Sequence, residues 1–136
     1  MNSPTLVALT AFIAWALVLL VLMEAIRSKM VVAREVAPNQ FVPDNANLSP
    51  FMQRLARAHA NCLEGLPIFG GLMVVALVSG RESVTDSLAY VLLCARVLQS
   101  TIHLASVSPA AVTLRFTAFA VQMAIAVFWS WRLLAG

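Results

Sequence analysis

Four apolar runs, each long enough to cross a lipid bilayer, constrain this chain more than any other feature of its sequence. A transmembrane helix needs about 20 predominantly apolar residues, and such runs lie near residues 4–28, 50–79, 84–105 and 109–134. Charged residues make up 11% of the 136-residue chain, whereas soluble domains have about 25%. The sequence therefore predicts an all-α integral membrane protein, with the whole chain forming one four-helix transmembrane domain.

Local signals predict where the helices begin and where one of them bends. Serine at an N-cap, followed by proline in the first turn, is a favourable helix start. Ser-Pro pairs begin at Ser3, Ser49 and Ser108. The third helix begins near Ser83, and Asp86 three residues later predicts a capping box with Asp in place of the usual Glu. Pro67 lies inside the second helix and is expected to kink or loosen it.

The connections between the helices predict their directions. Only the first connection, near residues 31–49, is long, and short connections join antiparallel neighbours, so we expect an up-down-up-down bundle. Basic residues flank the first loop more densely than the other connections. Because such residues favour the cytoplasmic side, the first loop is predicted to be cytoplasmic, with both termini on the opposite side.

The second helix carries a polar face although it is predicted to span the membrane. At about 100° per residue, four residues fall within an arc of about 80°: Arg54, Arg57, Asn61 and Glu64. Glu64 lies about 20 Å along the helix from Pro50, so its short side chain needs a buried partner. One alternative is an ion pair with Arg57 or Arg96 that only joins helices. The other is a polar cavity that binds a charged ligand.

The third and fourth helices bring further polar residues to the same, cytoplasmic half of the bundle. Arg96, Gln99, Ser100 and His103 fall within about 100° of arc on the third helix, and the fourth helix adds Arg115 and Gln122. Arginines outnumber the one carboxylate at this level, and guanidinium groups bind carboxylates well. The cavity is therefore predicted to accept an anionic ligand.

Other classes of site find little support. The two cysteines, Cys62 and Cys94, lie inside predicted helices, so we expect neither a disulfide framework nor a zinc site, and no metal. The net charge of +3 follows from the basic residues around the first loop, so no nucleic-acid partner is expected. Membrane lipids are the expected surroundings.

The motif R-x-x-R-A-H-x-N-x-x-E-x-x-P at residues 54–67 resembles the second-helix signature of the MAPEG family, the membrane-associated proteins in eicosanoid and glutathione metabolism. The chain length, the four spans, the long first loop and the Ala95-Arg96 pair extend the resemblance over essentially the whole chain. The resemblance implies a homotrimer that binds glutathione between subunits in the cytoplasmic half.

The resemblance also implies which residues bind glutathione. By the family pattern, Glu64 takes the ammonium group and an arginine takes a carboxylate. The third helix lines the same site, and a basic residue of the first helix assists. The implied set is Arg27, Lys29, Arg54, Arg57, Asn61, Glu64, Arg96, Gln99 and His103.

One region departs from the family pattern. Catalytic relatives carry an arginine near the end of the third helix or in the following turn, where it stabilises the glutathione thiolate. Residues 105–111, ASVSPAA, contain no arginine. A thiol with a pKa near 8.5 needs a cation or a hydrogen-bond donor to ionise at neutral pH. The candidates to supply it are His103, Ser106, Ser108 and Arg115, among which the sequence does not choose.

The implied activity is that of a glutathione-dependent transferase or peroxidase, in which the glutathione thiolate attacks lipophilic electrophiles dissolved in the membrane. The alternative is a non-catalytic protein of the same fold that binds a lipid or an anionic metabolite between subunits. A structural or transport role requires a continuous hydrated path, which the apolar residues 66–78 of the second helix disfavour.

Overall fold

The computed structural model describes residues 2–136, and all regular structure in this range is helical. The helices are α1 (Pro4–Val32), α2 (Pro50–Gly65), α3 (Gly71–Val78), α4 (Ser83–Ala105) and α5 (Pro109–Leu134). A π-helical segment, Leu66–Gly70, joins α2 to α3, so the chain contains four units long and apolar enough to cross a membrane. α1 ends four residues later than predicted, at Val32.

The helix starts confirm three predicted caps and correct one. The serine hydroxyl oxygens accept the backbone N–H groups of Leu6, Met52 and Ala111 at 3.2, 3.3 and 3.2 Å. The capping box predicted at Ser83 is wrong, because the cap residue of α4 is Glu82 and makes no side-chain cap. Asp86 instead accepts hydrogen bonds from the backbone N–H and the hydroxyl of Thr5. The first turn of α1 has N–H groups without partners in its own helix, and Asp86 supplies one.

Hydrogen bonds between helix ends show that successive spans run antiparallel. At one end, the start of α1 meets the start of α4 through Thr5 and Asp86, and Arg81, which follows α3, donates to carbonyl oxygens at the end of α5. At the other end, Arg54 Nε near the start of α2 donates to the Leu104 carbonyl oxygen of α4 at 2.8 Å. The bundle is up-down-up-down, and its orientation in the membrane stays a prediction.

The π-helical segment lies where Pro67 interrupts the second span, as expected of a loosened helix. Proline has no N–H to donate and its ring crowds the preceding turn, so the regular α-helical pattern cannot continue through it. Phe69, on this segment, is buried in the bundle. Its ring centroid lies 6.5 Å from that of Phe12 in α1 and 6.3 Å from that of Phe119 in α5. The π-helical segment thus places the Phe69 ring between α1 and α5.

The core and the outer surface of the bundle are both apolar. Each span contributes large side chains to the core, among them Phe12, Leu55, Met73, Leu92 and Trp129. Large aliphatic side chains also cover the outside, including Leu17, Val21, Leu114 and Val127. An outer surface of this kind matches lipid tails, which are as apolar as leucine. The charged side chains lie in the loops, near the helix ends and in one internal region, while exposed threonines such as Thr10 and Thr117 bond to carbonyl oxygens of their own helices.

Candidate functional site

A small cavity between α2 and α5 contains two of the predicted ligand residues, and we call it the Glu64 pocket. It is lined by Asn61, Glu64, Gly65, Ile68, Phe69 and Phe119. Its volume is about 190 Å³, whereas small-molecule sites generally measure about 300–1,000 Å³. The Glu64 pocket is therefore small for a ligand site of its own.

The Glu64 carboxylate has no ion-pair partner within residues 2–136. The side chain is exposed on the protomer surface, and the single ion pair within residues 2–136 joins Arg27 to Glu24 at 3.0 Å. The alternative that Glu64 pairs with Arg57 or Arg96 inside the protomer is therefore wrong. A charged side chain at the bilayer centre costs at least about 2.5–3.5 kcal/mol. Within residues 2–136 nothing offsets the charge of the Glu64 carboxylate.

A larger apolar cleft adjoins the Glu64 pocket. Both cavities are bordered by Ile68, Phe69 and Phe119, and the cleft continues along α5 past Met123 and Val127. Its volume is about 420 Å³. A polar pocket and an apolar surface open to lipid thus meet at two phenylalanine rings, which is a suitable arrangement for a polar ligand that meets a lipophilic one.

His103 lies beside the pocket, close to two arginines. Its side chain is buried, and Nδ1 lies 3.5 Å from Nδ2 of Asn61. Arg57 and Arg115 are the cations near its ring. Arg57 is exposed, whereas Arg115 is half-buried and its Nη1 has no hydrogen-bond partner. Neither arginine forms an ion pair within residues 2–136, and the anionic ligand expected here stays a prediction.

Arg96 is enclosed in a cage of aromatic rings. Its guanidinium carbon lies 5.6, 5.8 and 5.9 Å from the ring centroids of Phe12, Phe69 and Phe119. The side chain is fully buried, and none of its three nitrogen atoms has a hydrogen-bond partner. A Cβ atom at Gly65 would lie 2.7 Å from Nη2. A side chain at position 65 would therefore displace the guanidinium, which lies directly behind the wall of the Glu64 pocket.

Gln99 faces the core of the bundle and contacts α5. Its side-chain oxygen accepts a hydrogen bond from Nε2 of Gln122 at 2.8 Å, and the same nitrogen also donates to the Ala118 carbonyl oxygen at 3.1 Å. Both glutamine side chains are buried. Within the protomer, Gln99 thus joins two helices, and its role as a glutathione ligand stays a prediction.

Arg27 holds the first loop and is not brought to the pocket. Nε donates to Oδ1 of Asn45 at 3.1 Å, Nη2 donates to the Val42 carbonyl oxygen at 3.2 Å, and Nη1 donates to Glu24 at 3.0 Å. Each nitrogen of the guanidinium therefore already has an acceptor. Lys29 is exposed in the last turn of α1. The contribution of either residue to glutathione binding stays a prediction.

The turn after α4 uses its serine oxygens for its own structure. Ser106 Oγ accepts the Ser108 N–H at 3.0 Å, and Ser108 Oγ caps α5. Arg54 donates to the Leu104 carbonyl oxygen beside this turn. Of the four candidates for the thiol-activating group, His103 contacts a residue of the Glu64 pocket through Asn61.

Sequence pattern does not single out the residues that shape the pocket wall. Phe12, Phe69 and Phe119 are ordinary apolar residues of membrane helices, and nothing in their spacing indicates that they meet around one cation. Gly65 offers the one available signal, since it directly follows the predicted ligand Glu64. A glycine inside a helix often marks the close approach of another group.

Comparison with models of protein families matches residues 5–135 to the MAPEG family. A search of curated proteins and a search of solved structures returned no significant match. The family match covers nearly the whole chain, and the four apolar spans agree with it. The protein is thus an integral, multi-pass membrane protein in contact with lipid, and it belongs to the MAPEG family.

Proposed function

We propose that this protein is a glutathione-dependent membrane transferase or peroxidase that acts on lipophilic electrophiles. The observation that carries this proposal is the junction between the Glu64 pocket and the apolar cleft at Phe69 and Phe119. A polar co-substrate in the pocket and a lipophilic substrate in the cleft lie side by side in this arrangement. Membership of the MAPEG family supports a function in glutathione-dependent transfer or in eicosanoid synthesis.

The chemistry of the pocket side chains fits glutathione, which carries two carboxylates, one ammonium group and one thiol. The Glu64 carboxylate suits the ammonium group, and the Asn61 amide offers both a donor and an acceptor. Arg57 and Arg115 suit the carboxylates, because guanidinium groups bind carboxylates through charge-assisted hydrogen bonds. Glu64, Arg57 and Arg115 form no ion pairs within residues 2–136. This supports a ligand that carries both a positive and a negative charge.

A second copy of the chain completes the pocket in this proposal. The cavity of about 190 Å³ on one protomer is small for a ligand site, and Glu64 and Arg57 are exposed on a face of a membrane-spanning helix. Family resemblance implies a homotrimer with its sites between subunits. The expected mass of the protein in detergent, after subtraction of the bound detergent, is that of three chains.

The glutathione thiol is consumed in two different ways, depending on the substrate. With an aryl halide, the thiol proton passes to water, a carbon–sulfur bond forms, and the halide leaves with the electrons of the carbon–halogen bond. With a lipid hydroperoxide, two glutathione thiols are oxidised to a disulfide while the hydroperoxide is reduced to an alcohol and water. The chain itself orients the tripeptide through Glu64, Asn61 and the two arginines.

Glutathione binding to Glu64→Gln tests the proposal. Calorimetry on purified protein in detergent is expected to show binding by the wild type and conjugation of 1-chloro-2,4-dinitrobenzene. Loss of a charge-assisted hydrogen bond costs about 1.5–3 kcal/mol, so Glu64→Gln is expected to bind roughly tenfold to a hundredfold more weakly. Glu35→Gln removes an exposed carboxylate of the first loop and serves as the matched control. A wild type that does not bind, or equal binding by Glu64→Gln, contradicts the proposal.

A non-catalytic binding protein of the same fold is the second candidate. It is favoured by residues 105–111, which contain no arginine, and by the use of the Ser106 and Ser108 oxygens inside the turn. This candidate binds a lipid or an anionic metabolite between subunits. It predicts thermal stabilisation by that ligand that survives Glu64→Ala, together with no conjugation activity.

A further inference from the structure

Arg96 is a buried cation without an anionic partner in its protomer. Its side chain is fully buried, and Nε, Nη1 and Nη2 have no hydrogen-bond acceptor within residues 2–136. A buried charge is normally paired or hydrogen-bonded, because its transfer out of water is costly. The faces of three phenylalanine rings attract the guanidinium and offset part of this cost. They do not neutralise its charge.

This charge lies next to the Glu64 pocket. Phe69 and Phe119 belong both to the cage around Arg96 and to the lining of the pocket. Gly65 lines the pocket as well, and the space of its missing side chain is 2.7 Å from Arg96 Nη2. Position 65 therefore has no side chain that would separate the guanidinium from the pocket.

An unpaired cation exerts a stronger field than one in an ion pair, because no neighbouring anion cancels it. The surroundings strengthen the effect, since the cage is made of apolar rings that exclude water and keep the local dielectric constant low. An anion in the pocket therefore gains stabilisation from Arg96 without touching it. A thiolate is such an anion, and the turn at residues 105–111 offers it no arginine.

We propose that Arg96, acting from behind Gly65, stabilises the thiolate of glutathione bound in the Glu64 pocket and so replaces the arginine missing from the turn. This inference rests on the proposed function. The thiol proton passes to water when the thiolate forms. Arg96 does not touch the reacting atoms. Its guanidinium acts on the thiolate electrostatically, across the pocket wall.

Other ionisable groups face Arg96 or the pocket and belong to every variant compared below. The buried Cys62 thiol on α2 is the ionisable group next to Arg96. Glu64 on α2 lines the pocket, and His103 on α4 contacts it through Asn61. Arg57 on α2 and Arg115 on α5 lie near His103. Because these groups are retained, a change in the thiol titration that follows substitution of Arg96 reports the charge of Arg96.

The test is a pH titration of the bound thiol. Arg96→Met removes the charge and keeps a long apolar side chain, whereas Arg96→Lys keeps the charge. Glutathione is added to the full-length protein in detergent, its binding is measured by calorimetry, and thiolate formation is followed by ultraviolet absorbance. Arg96→Met is expected to raise the pKa of the bound thiol by about 1–3, the usual effect of removing an adjacent opposite charge. In Arg96→Lys the pKa of the bound thiol is expected to stay close to its wild-type value.

Arg132→Met is the matched control. Arg132 also lies over a phenylalanine ring, with its guanidinium carbon 5.7 Å from the centroid of Phe128. It lies at the opposite end of the bundle from the turn after α4. Its substitution is expected to leave the thiol titration unchanged, and an equal rise in both methionine variants overturns the inference.

The outcomes separate this inference from the proposed function. A wild type that does not bind glutathione refutes both. A wild type that binds, with an Arg96→Met variant that binds and titrates identically, refutes the role of Arg96 alone. If Arg96→Met does not fold, Gly65→Ala decides, because the added methyl displaces the guanidinium from the pocket wall. An unchanged thiol pKa in Gly65→Ala then overturns the inference, and a raised one supports it.

Discussion

Asn45 holds the first loop in place, and its replacement by alanine is expected to destabilise the protein strongly. The side chain is fully buried. Nδ2 donates to the Met52 carbonyl oxygen at 2.8 Å, and Oδ1 accepts from Nε of Arg27 at 3.1 Å. The backbone of Asn45 has a φ of 56°, in the left-handed region that asparagine tolerates better than alanine. The residue therefore contributes through both its side chain and its backbone.

The expected loss follows from these contacts. The hydrogen bond to the Met52 carbonyl group contributes about 1 kcal/mol. The bond from Arg27 contributes about 1.5 kcal/mol, near the low end for a charged donor, because the guanidinium keeps its bonds to Glu24 and Val42. The left-handed backbone adds about 1 kcal/mol for alanine. Asn45→Ala is thus expected to lower the free energy of unfolding by about 3–4 kcal/mol, well above the roughly 1 kcal/mol of an average substitution.

Two further substitutions at the same position separate the contributions. Asn45→Gly loses the same side-chain bonds but adopts a positive φ freely, so it is expected to be more stable than Asn45→Ala by about 1 kcal/mol. Asn45→Asp keeps the acceptor for Arg27 and loses the donor to Met52. The free energy of unfolding is measured by denaturant titration in mixed micelles, with tryptophan fluorescence as the signal. Limited proteolysis of residues 33–49 reports loosening of the loop.

The pair of Arg27 and Asn45 provides the refuting result. Because the two side chains bond to each other, Arg27→Met and Asn45→Ala are expected to be non-additive in a double-mutant cycle. Additive effects would refute the proposed role of Asn45 in holding the first loop in place. So would a fall in the free energy of unfolding of less than about 1 kcal/mol for Asn45→Ala. Equal stability of the alanine and glycine variants would refute the backbone contribution.

Two other predictions concern contacts away from the pocket. Arg81→Met removes the donor to two carbonyl oxygens of the last turn of α5, at 2.8 and 2.9 Å. Local stability there is expected to fall by about 1–2 kcal/mol, and unchanged hydrogen exchange of that turn contradicts the prediction. Gln99→Leu removes one of the two acceptors of the buried Gln122 Nε2, which keeps its bond to the Ala118 carbonyl oxygen, and is expected to cost about 1 kcal/mol. Replacing both glutamines with leucine is expected to recover part of this loss in unfolding experiments, and an equal loss argues against the pairing.

The spans and most of the helix starts follow from the sequence because they depend on residues close along the chain. A serine cap is satisfied by the N–H three residues later, as at Ser3, Ser49 and Ser108. The loosening at Pro67 is local in the same way, since proline lacks the donor that the preceding turn needs. The capping box predicted at Ser83 did not form for a tertiary reason, because Asp86 bonds to Thr5 of another helix.

The polar site was predictable only in part. Helical spacing places Asn61 and Glu64 on one face of α2, and the structure places both in one cavity. The same spacing places Arg96 on a polar stripe of α4, but it does not reveal which residues pack against that stripe. Three rings from α1, the π-helical segment and α5 surround the guanidinium.

The sequence by itself determined the membrane embedding, the number of spans and the faces that carry polar residues, because these depend on apolar length and on angles around a single helix axis. Only the tertiary structure decided that Arg27 bonds to Asn45 and that Arg96 lies among phenylalanine rings behind Gly65. Such pairings depend on how neighbouring helices are rotated and how a π turn shifts their register. These are properties of the packed bundle and not of any one segment.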